Sequence, residues 1–501
     1  MWCRAAMAAL MGALTVASQS QGDIWSNWDT RQVCRPQVHV SPSTLAALQH
    51  AVESATHIRV AGAGHSFSPI VLTKHTLVTL EKYTEVVSFD NDTITVQAGR
   101  PLYAINDYLA ARGRALPNLG AVAVQTAAGV TQTGTHGTGN TGCISDNIVA
   151  MDLVLANGSL VTLTSGDLFD AARVGMGTLG AVSTLTFRHV PLWTMEQITF
   201  MLPLATFESH RAALLAVRLS SKPCQLVERD DWMTFDRVQW YLLGLPTHST
   251  VTVVLRVNTT APISTGCWAN VFTATPVTPL PLNWTAWPAD TKACVDHSYK
   301  VLGRDGRNNT NYFTEMEMML PVEDDAAALS DMLALHATLA PLHDPAVPLF
   351  LGFRYVNADK LWLSPFYGRR TVVVSTIVYH RGKYEPEIDR YHRGMQAALA
   401  KYGARPHTGK TNYFTANDMA RVHPKFHEFV ALQKAVDPHG KFLNKYMRRL
   451  LVETEPTGSL DAAVQTSTTR WPLLVLTMLV ACVFAVVHAL RRHHKHGYER
   501  I

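Results

Sequence analysis

Arg59-Val-Ala-Gly-Ala-Gly-His-Ser-Phe-Ser-Pro-Ile70 is the segment from which the fold of this chain can be worked out. Its apolar, β-branched start predicts a strand that runs into Gly62, Ala63 and Gly64. Main-chain N–H groups in such a turn can approach an anion closely, because glycine has no Cβ to hold the ligand away. The segment lacks the third glycine of a dinucleotide-binding fingerprint and the Lys-Ser/Thr pair of a Walker loop, so it predicts neither site. A glycine-rich turn that holds no ligand is the alternative.

A second glycine-rich segment, Ala128 to Gly139, follows Leu116-Pro-Asn-Leu-Gly120. Four glycines and four threonines lie between residues 129 and 139. This composition cannot build a packed core strand, but it can wrap amides and hydroxyls around a polar, planar cofactor. An irregular surface loop is the alternative, although the apolar run from Ile148 to Leu155 argues against a solvated linker.

The surrounding sequence alternates between strand and helix patterns, which predicts an α+β fold. Strands are predicted at residues 57–61, 76–80, 93–97, 251–255 and 371–375. Helices are predicted at residues 43–54, 102–112, 326–339 and 424–436. The chain thereby divides into a first α+β unit at 28–190, a second mixed segment at 191–405 and a last folded segment at 406–452.

Composition narrows the class of protein. The 501 residues include 44 Lys+Arg and 39 Asp+Glu, for a net charge of +5, with 47% hydrophobic and 17% charged residues. These values exclude a disordered tail, a collagen and a small disulfide-rich domain. No basic block occurs before the C-terminus, so nucleic acid is not a predicted partner and a small molecule is favoured.

Both ends of the chain indicate the secretory pathway. Residues 1–20 are typical of a signal peptide, with a mitochondrial presequence or an uncleaved anchor as alternatives. Residues 471–490 contain no Asp, Glu, Lys or Arg and are long enough for a transmembrane helix. Because the tail 491–501 is basic, we expect it in the cytosol. A stalk at 453–470 would then carry a lumenal or extracellular body in the endoplasmic reticulum or at the cell surface.

The cysteines leave the disulfide pairing open. Apart from Cys3 in the leader and Cys482 in the apolar span, five remain: Cys34, Cys143, Cys224, Cys267 and Cys294. Five is odd, so at least one stays free or pairs between chains. The wide spacing excludes a zinc ribbon, and no metal site is predicted.

Segments 62–66, 134–139 and 175–182 together resemble the covalent-flavin oxidases of the vanillyl-alcohol oxidase superfamily, and within it the sugar-1,4-lactone oxidase branch. The similarity continues through 354–365, 405–410 and 437–444. It implies a two-part FAD-binding domain (28–190 and 406–452) and an α+β cap domain (191–405). The implied reaction is oxidation of L-gulono-, L-galactono- or D-arabinono-1,4-lactone at the C2 carbinol. O2 would be reduced to H2O2, and the product would be ascorbate or an analogue.

The resemblance also implies the residues that bind FAD. His65 matches the position whose imidazole is bonded to the flavin 8α-methyl group, although some relatives lack this histidine. For His136 a hydrogen bond that fixes the loop is the alternative role. The implied cofactor-binding residues are Gly62, Ala63, Gly64, His65, Ser66, Gly129, Thr133, Gly134, Thr135, His136, Gly137, Gly180 and Val182.

On the substrate side, Arg354 and Lys410 match basic residues that lie over the flavin in relatives. Fixed cations there would stabilise the negative charge that develops on the carbinol oxygen as hydride leaves. A structural arginine and a surface lysine are the alternatives. His407, the third predicted catalytic residue, is either a base or a packed side chain.

Two departures from the family pattern leave other functions open. Relatives commonly carry Glu where this chain has Gly352, and an aromatic residue where it has Thr408. The alternatives are a flavin oxidase or dehydrogenase of alditols or oligosaccharides, and a non-catalytic binding protein on the same scaffold.

Overall fold

The computed structural model describes residues 23–139, 141–209, 211, 237–243, 250–264, 267, 291–307, 312–339, 349–379 and 385–453. The predicted signal peptide, the apolar span 471–490 and the basic tail lie outside the described residues, as does the stalk after residue 453. Among the residues that are described, no helix combines the length and the apolar character needed to cross a bilayer.

The described chain mixes helices and strands, and every strand and helix predicted above is confirmed to within a few residues. The helices are α1 (Leu45–Ser54), α2 (Leu102–Ala110), α3 (Ala127–Gln132), α4 (Asp167–Ala172), α5 (Ser298–Leu302), α6 (Asp325–Leu339), α7 (Glu385–Leu399), α8 (Ala416–Val422), α9 (Phe426–Val436) and α10 (Lys445–Leu451). The strands are β1 (Trp25–Ser26), β2 (Val33–Cys34), β3 (Val38–Val40), β4 (Ile58–Ala61), β5 (Thr76–Thr79), β6 (Val86–Phe89), β7 (Thr93–Gln97), β8 (Arg114–Ala115), β9 (Ile148–Val154), β10 (Leu160–Leu163), β11 (Ala181–Arg188), β12 (Val190–Pro191), β13 (Thr194–Pro203), β14 (Arg237–Leu243), β15 (Thr250–Thr259), β16 (Lys292–His297), β17 (Phe313–Pro321), β18 (Leu349–Val356), β19 (Thr371–Tyr379) and β20 (Arg405–Pro406).

Three larger sheets organise these strands. A parallel sheet has the order β3-β5-β4, and an antiparallel sheet has the order β10-β9-β11-β7-β6. An eight-stranded sheet, β16-β13-β15-β14-β18-β19-β17-β20, is built from strands between residues 194 and 406. Its last strand, β20, leads directly into the segment that follows residue 406.

The eight-stranded sheet is packed on one face and lines a cavity on the other. Tyr355 and Thr376 point to the helices, where they contact Asp325 of α6 and Met395 of α7. Since strand side chains alternate between faces, the neighbouring Arg354 points to the opposite face. This alternation places charged residues of β17 and β18 on the cavity face while their neighbours fill the core.

Arg59, on β4, joins three distant parts of the chain. It is 3% exposed. Its guanidinium donates to the carbonyl oxygens of Ile70 (2.8 Å), Met176 (2.8 Å), Gly177 (3.1 Å) and Phe442 (2.5 Å). These bonds hold the segment after β4, the turn before β11 and the C-terminal segment around one side chain.

The C-terminal segment is fixed to the same strand by further hydrogen bonds. The main-chain N–H of Ile58 donates to the carbonyl of Lys441 (3.0 Å), and the Asn444 side chain donates to the carbonyl of Pro69 (2.9 Å). The chain therefore returns, after the eight-stranded sheet, to the first sheet from which it started.

The structure shows part of the cysteine pairing that the sequence left open. Cys267 and Cys294 are bonded, whereas Cys34 and Cys143 are free. Cys224 lies outside the described residues.

Replacing Arg59 by methionine is expected to destabilise the protein strongly. The change leaves buried carbonyl oxygens without donors, which costs at least about 3 kcal/mol of the free energy of unfolding. Urea unfolding followed by tryptophan fluorescence measures it, with the exposed Arg35→Met as the matched control. A loss within about 0.5 kcal/mol of that control would contradict the role given to Arg59.

Candidate functional site

A first cavity lies where the glycine-rich segments converge. It is lined by residues 60–66, by Gly129 and Thr133, and by residues 176–177 and 180–182. It contains about 820 Å³ of atom-free space, part of it open to solvent. The predicted residues Gly62, Ala63, Gly64, Ser66, Gly180 and Val182 all line it, so the segments quoted from the sequence do come together.

The main chain of residues 62–66 fits a bound anion. Within the described residues, none of their five N–H groups donates to a protein acceptor. Their carbonyls are used elsewhere: Gly64 accepts from the N–H of Trp28 (2.8 Å), and Ser66 accepts from the Asn27 side chain (2.9 Å). A turn in which two carbonyls are bonded to the protein and the N–H groups are free suits a diphosphate such as that of FAD.

Two glycines of this cavity are required by close packing. A Cβ on Gly62 would lie 2.1 Å from the Thr126 hydroxyl oxygen. Gly180 has φ +154°, and a Cβ there would lie 2.7 Å from both Leu153 Cγ and the Val154 carbonyl oxygen. Both residues let the backbone of neighbouring segments meet at the cavity wall.

A second cavity adjoins the first. The two share His65, Ser66, Gln125 and Thr133 as lining residues. The second contains about 1160 Å³ of atom-free space and is otherwise lined largely by the eight-stranded sheet and by residues 407–410. Of the predicted residues, Thr135, His136, Arg354, His407 and Lys410 line it.

Residues 407–410 form a tight turn. The N–H of Lys410 donates to the carbonyl of His407 (2.9 Å). The N–H of Phe67 donates to Gly409 (2.8 Å), and the Ser68 hydroxyl donates to Thr408 (2.7 Å). The turn that carries Lys410 is thereby bonded to the loop that carries His65.

Two buried ion pairs stand side by side in the second cavity. Arg354 bonds to Glu317, and Lys410 bonds to Glu315. Burial raises the pKa of the Glu315 carboxyl to about 7, an effect that Lys410 opposes and Glu317 strengthens. Burial alone would also raise the pKa of Glu317, but Arg354 and Lys410 together hold it well below the usual range.

Sequence reasoning missed both of these carboxylates. Glu315 and Glu317 alternate with Met316 and Met318 on β17, so they share the cavity face of the sheet while both methionines are buried in the core. The available signal was two acids at positions i and i+2 of an otherwise apolar strand. Their partners are more than 35 residues away in sequence, and no local pattern identifies them.

The structure explains why a side chain is absent at position 352. A Cβ on Gly352 would lie 2.7 Å from the Ser375 hydroxyl oxygen and 3.1 Å from Tyr241 Cδ1. Both neighbours are its cross-strand partners, on β19 and β14. The Tyr241 ring thus occupies the space that a longer side chain at 352 would need, and the carboxylates of this cavity come from β17 instead.

His65 lies at the junction of the two cavities. Its ring stacks on Trp28, with centroids 5.0 Å apart and planes 19° apart. Burial lowers the pKa of His65 to about 4, and the nearby Lys410 and Arg304 add to this. At neutral pH the imidazole is therefore neutral and retains a nitrogen lone pair.

His136 and His407 flank Glu317, with their Nε2 atoms 3.5 Å and 4.0 Å from Glu317 Oε2. These three groups are close enough to share a metal ion. They suit one poorly, because Arg354 already neutralises Glu317. In addition, His407 Nδ1 accepts the N–H of Gly409 (3.1 Å), so the proton of the neutral ring sits on Nε2.

Two predicted cofactor-binding residues line neither cavity. Gly134 has φ +66° and packs near Val174, whereas a Cβ on Gly137 would lie 2.4 Å from the Asn118 side-chain oxygen. Both shape the loop behind the cavity wall. Thr408, the second departure from the family pattern, is buried and accepts at its carbonyl from Ser68 and Tyr446.

Comparison with known proteins agrees with this arrangement. Residues 36–164 match an FAD-binding domain, and residues 256–450 match the family described as D-arabinono-1,4-lactone oxidase. Along these two segments the chain resembles the sugar-lactone oxidase branch of the flavoproteins. The FAD-binding match contains the 62–66 turn, and the lactone-oxidase match contains Glu315, Glu317, Arg354 and Lys410.

Relatives of this branch align along most of the chain. An L-gulono-1,4-lactone dehydrogenase from Mycobacterium tuberculosis is 29% identical over 454 residues, covering 85% of this chain and 99% of the relative. An L-gulonolactone oxidase from Bos taurus is 27% identical, covering 86% and 98%. A D-arabinono-1,4-lactone oxidase from Yarrowia lipolytica is 33% identical over 202 residues, covering 38% and 36%.

Solved structures support the fold. A cholesterol oxidase from Brevibacterium sterolicum superposes with a TM-score of 0.65 at 14% identity, covering 87% of this chain and 98% of that one. At this identity the likeness concerns the fold alone.

The raised pKa of Glu315 predicts a pH-dependent stability difference. The folded carboxyl titrates near 7 rather than 4.5, so between these pH values the folded state binds more protons and loses stability as pH rises. Glutamine cannot ionise. The free energy of unfolding of Glu315→Gln, relative to the unmodified protein, should therefore rise by up to about 3 kcal/mol across this window.

Urea unfolding at a series of pH values measures this difference. Glu323→Gln, at an exposed position just after the same strand, is the matched control. A relative stability of Glu315→Gln that stays constant or falls with pH would contradict the prediction.

Proposed function

We propose that this protein binds FAD across the two joined cavities and oxidises a sugar 1,4-lactone at its C2 carbinol. The FAD-binding domain comprises residues 28–190 and 406–452, and the cap domain comprises residues 191–405. Bound FAD supplies a two-electron acceptor for hydride. The observation that carries the proposal is the junction at His65, where a cavity suited to a diphosphate opens onto one lined with paired charges.

The charges of the second cavity suit a neutral, hydroxyl-rich substrate. Arg354 and Lys410 are each balanced by a buried carboxylate, so these four groups together carry little net charge. Hydroxyl groups can donate to the carboxylates and accept from the cations. As the carbinol oxygen gains negative charge, the two fixed cations stabilise it.

The direct experiment is anaerobic addition of L-gulono-, L-galactono- and D-arabinono-1,4-lactone to the purified flavoprotein. We expect at least one lactone to bleach the visible absorbance of the oxidised flavin. Lys410→Met should slow bleaching by about 100-fold or more, because it removes a fixed cation at the reacting oxygen.

The exposed Lys434→Met is the control and should bleach at the unmodified rate. If alditols or oligosaccharides bleach the flavin and lactones do not, the substrate of the proposed reaction is an alditol or oligosaccharide instead of a lactone. Flavin that no member of the panel bleaches would favour a binding protein on the same scaffold.

We further propose that FAD is attached covalently through His65. Support comes from its position at the junction of the cavities and from its neutral, Trp28-stacked imidazole. On acid precipitation, flavin should stay with the unmodified protein and appear in the supernatant for His65→Ala. The buried His392→Gln, outside both cavities, should retain flavin in the pellet. Release of flavin from the unmodified protein would contradict covalent attachment.

O2 is the proposed electron acceptor, with H2O2 as the product. The relatives carry both names, oxidase in Bos taurus and dehydrogenase in Mycobacterium tuberculosis. Turnover under air, compared with turnover under argon with a dye acceptor, distinguishes the two.

We propose that the catalytic body faces the lumen or the exterior, tethered to the bilayer by residues 471–490. Support comes from the uncharged 20-residue span followed by basic residues, and from the Cys267–Cys294 disulfide, which is typical of oxidising compartments. Digestion of the body by protease in sealed microsomes without detergent would contradict this topology.

A further inference from the structure

The hydrogen bonds of His136 fix which of its nitrogens carries the proton. Nδ1 lies 2.9 Å from the carbonyl oxygen of Gly137. A carbonyl oxygen only accepts, so Nδ1 must donate and must hold the proton of the neutral ring. The lone pair is therefore on Nε2, the ring nitrogen that lies beside Glu317, and both residues line the second cavity.

The Nε2 lone pair of His136 has no donor within the described residues. It is buried without a hydrogen bond, and the residue is 2% exposed. Glu317 Oε2 lies 3.5 Å from it and is itself an acceptor, because Arg354 keeps this carboxylate ionised. Burial and Arg354 lower the pKa of His136, which keeps the imidazole neutral. The Nε2 acceptor is therefore left for a donor that enters the second cavity.

His407, on the other side of Glu317, has the opposite arrangement. Its Nδ1 accepts the N–H of Gly409 (3.1 Å), so its Nε2 holds the proton and points towards Glu317. In this neutral form His407 is a donor at the cavity and cannot take up a proton there. Of the two histidines that line this cavity beside Glu317, His136 alone presents a basic nitrogen to it.

We propose that His136 is the catalytic base, accepting at Nε2 the hydroxyl proton of the carbinol that is oxidised. This rests on the proposed function. The O–H bond breaks and an N–H bond forms on His136 while the C–H electron pair leaves as hydride to the flavin, so that the carbinol becomes a carbonyl. When O2 reoxidises the cofactor, that proton and the hydride together complete H2O2.

Glu317 acts as a positioning residue in this step. With the carbinol proton transferred, His136 is an imidazolium that donates from Nδ1 to Gly137 and from Nε2 towards Glu317. The carboxylate thereby stabilises the protonated base. The titratable and charged groups that face His136 are Glu317 from β17, Arg354 from β18, and the neutral His407 of the turn.

The test compares flavin reduction in the unmodified protein and in His136→Gln, by anaerobic stopped-flow with saturating lactone. Glutamine keeps an acceptor near the Nε2 position but is not basic. We expect the rate constant for reduction to fall by about 100-fold or more, with bound flavin and lactone KM nearly unchanged. His392→Gln replaces another buried histidine, whose two ring nitrogens have no hydrogen-bond partner among the described residues, and should reduce at the unmodified rate.

Chemical rescue separates catalysis from structure. His136→Ala leaves a space beside Glu317, and added imidazoles should restore reduction, faster for imidazoles of higher pKa. The role of His136 as base is overturned if His136→Gln reduces its flavin at the unmodified rate. It is also overturned if flavin-loaded His136→Ala loses reduction and no imidazole restores it. In both cases the proposed function stands. If neither variant folds with flavin, the test uses the unmodified protein, whose rate constant for flavin reduction is compared in H2O and in D2O. Reduction should be slower in D2O, because the proton that His136 accepts is then a deuteron. An equal rate constant in the two solvents overturns the proposal. Failure of every lactone to reduce the unmodified protein overturns both.

Discussion

The buried guanidinium of Arg59 is the interaction on which both cavities depend. No carboxylate within the described residues pairs with it, and burial lowers its pKa only to about 10, so it stays charged. A buried charge is costly unless its hydrogen bonds are satisfied. Here four carbonyl oxygens accept from it, two from the turn before β11, one from the His65 loop and one from the C-terminal segment. The C-terminal segment is therefore needed to hold in place the N-terminal loop that lines the first cavity.

The second cavity follows from that closure. Because the chain returns to β4 after the eight-stranded sheet, the turn 407–410 lies against the loop 62–70. Lys410 is thus brought to the acids of β17, and two opposite charge pairs stand beside the junction at His65. Paired charges in a buried site offer strong hydrogen bonds without a large net field, which suits a neutral polyhydroxylated ligand better than an anion.

The sequence was informative where chemistry is carried by adjacent residues. The glycine-rich segments and the strands around them are local patterns, and residues 62–66, Gly129 and Thr133 of those segments do line the first cavity. Glu315 and Glu317 could not be found in this way, since their role depends on the register of β17 against β19 and β20. The departure from Glu at Gly352 leaves other functions open when only the sequence is considered, whereas the structure shows that Tyr241 and Ser375 fill the space from adjacent strands. The tautomer of His136 depends on a contact with the next residue that no residue pattern encodes.

The central claim is that one flavin spans both cavities, with its diphosphate at residues 62–66 and its ring beside His65. A crystal structure of the flavin-loaded protein, treated with lactone without oxygen, tests this most directly. The account predicts the diphosphate on the N–H groups of 62–66, a bond from His65 to the ring, and the lactone between His136, Arg354 and Lys410. A ring that lies away from His65, or a lactone bound outside the second cavity, would contradict it.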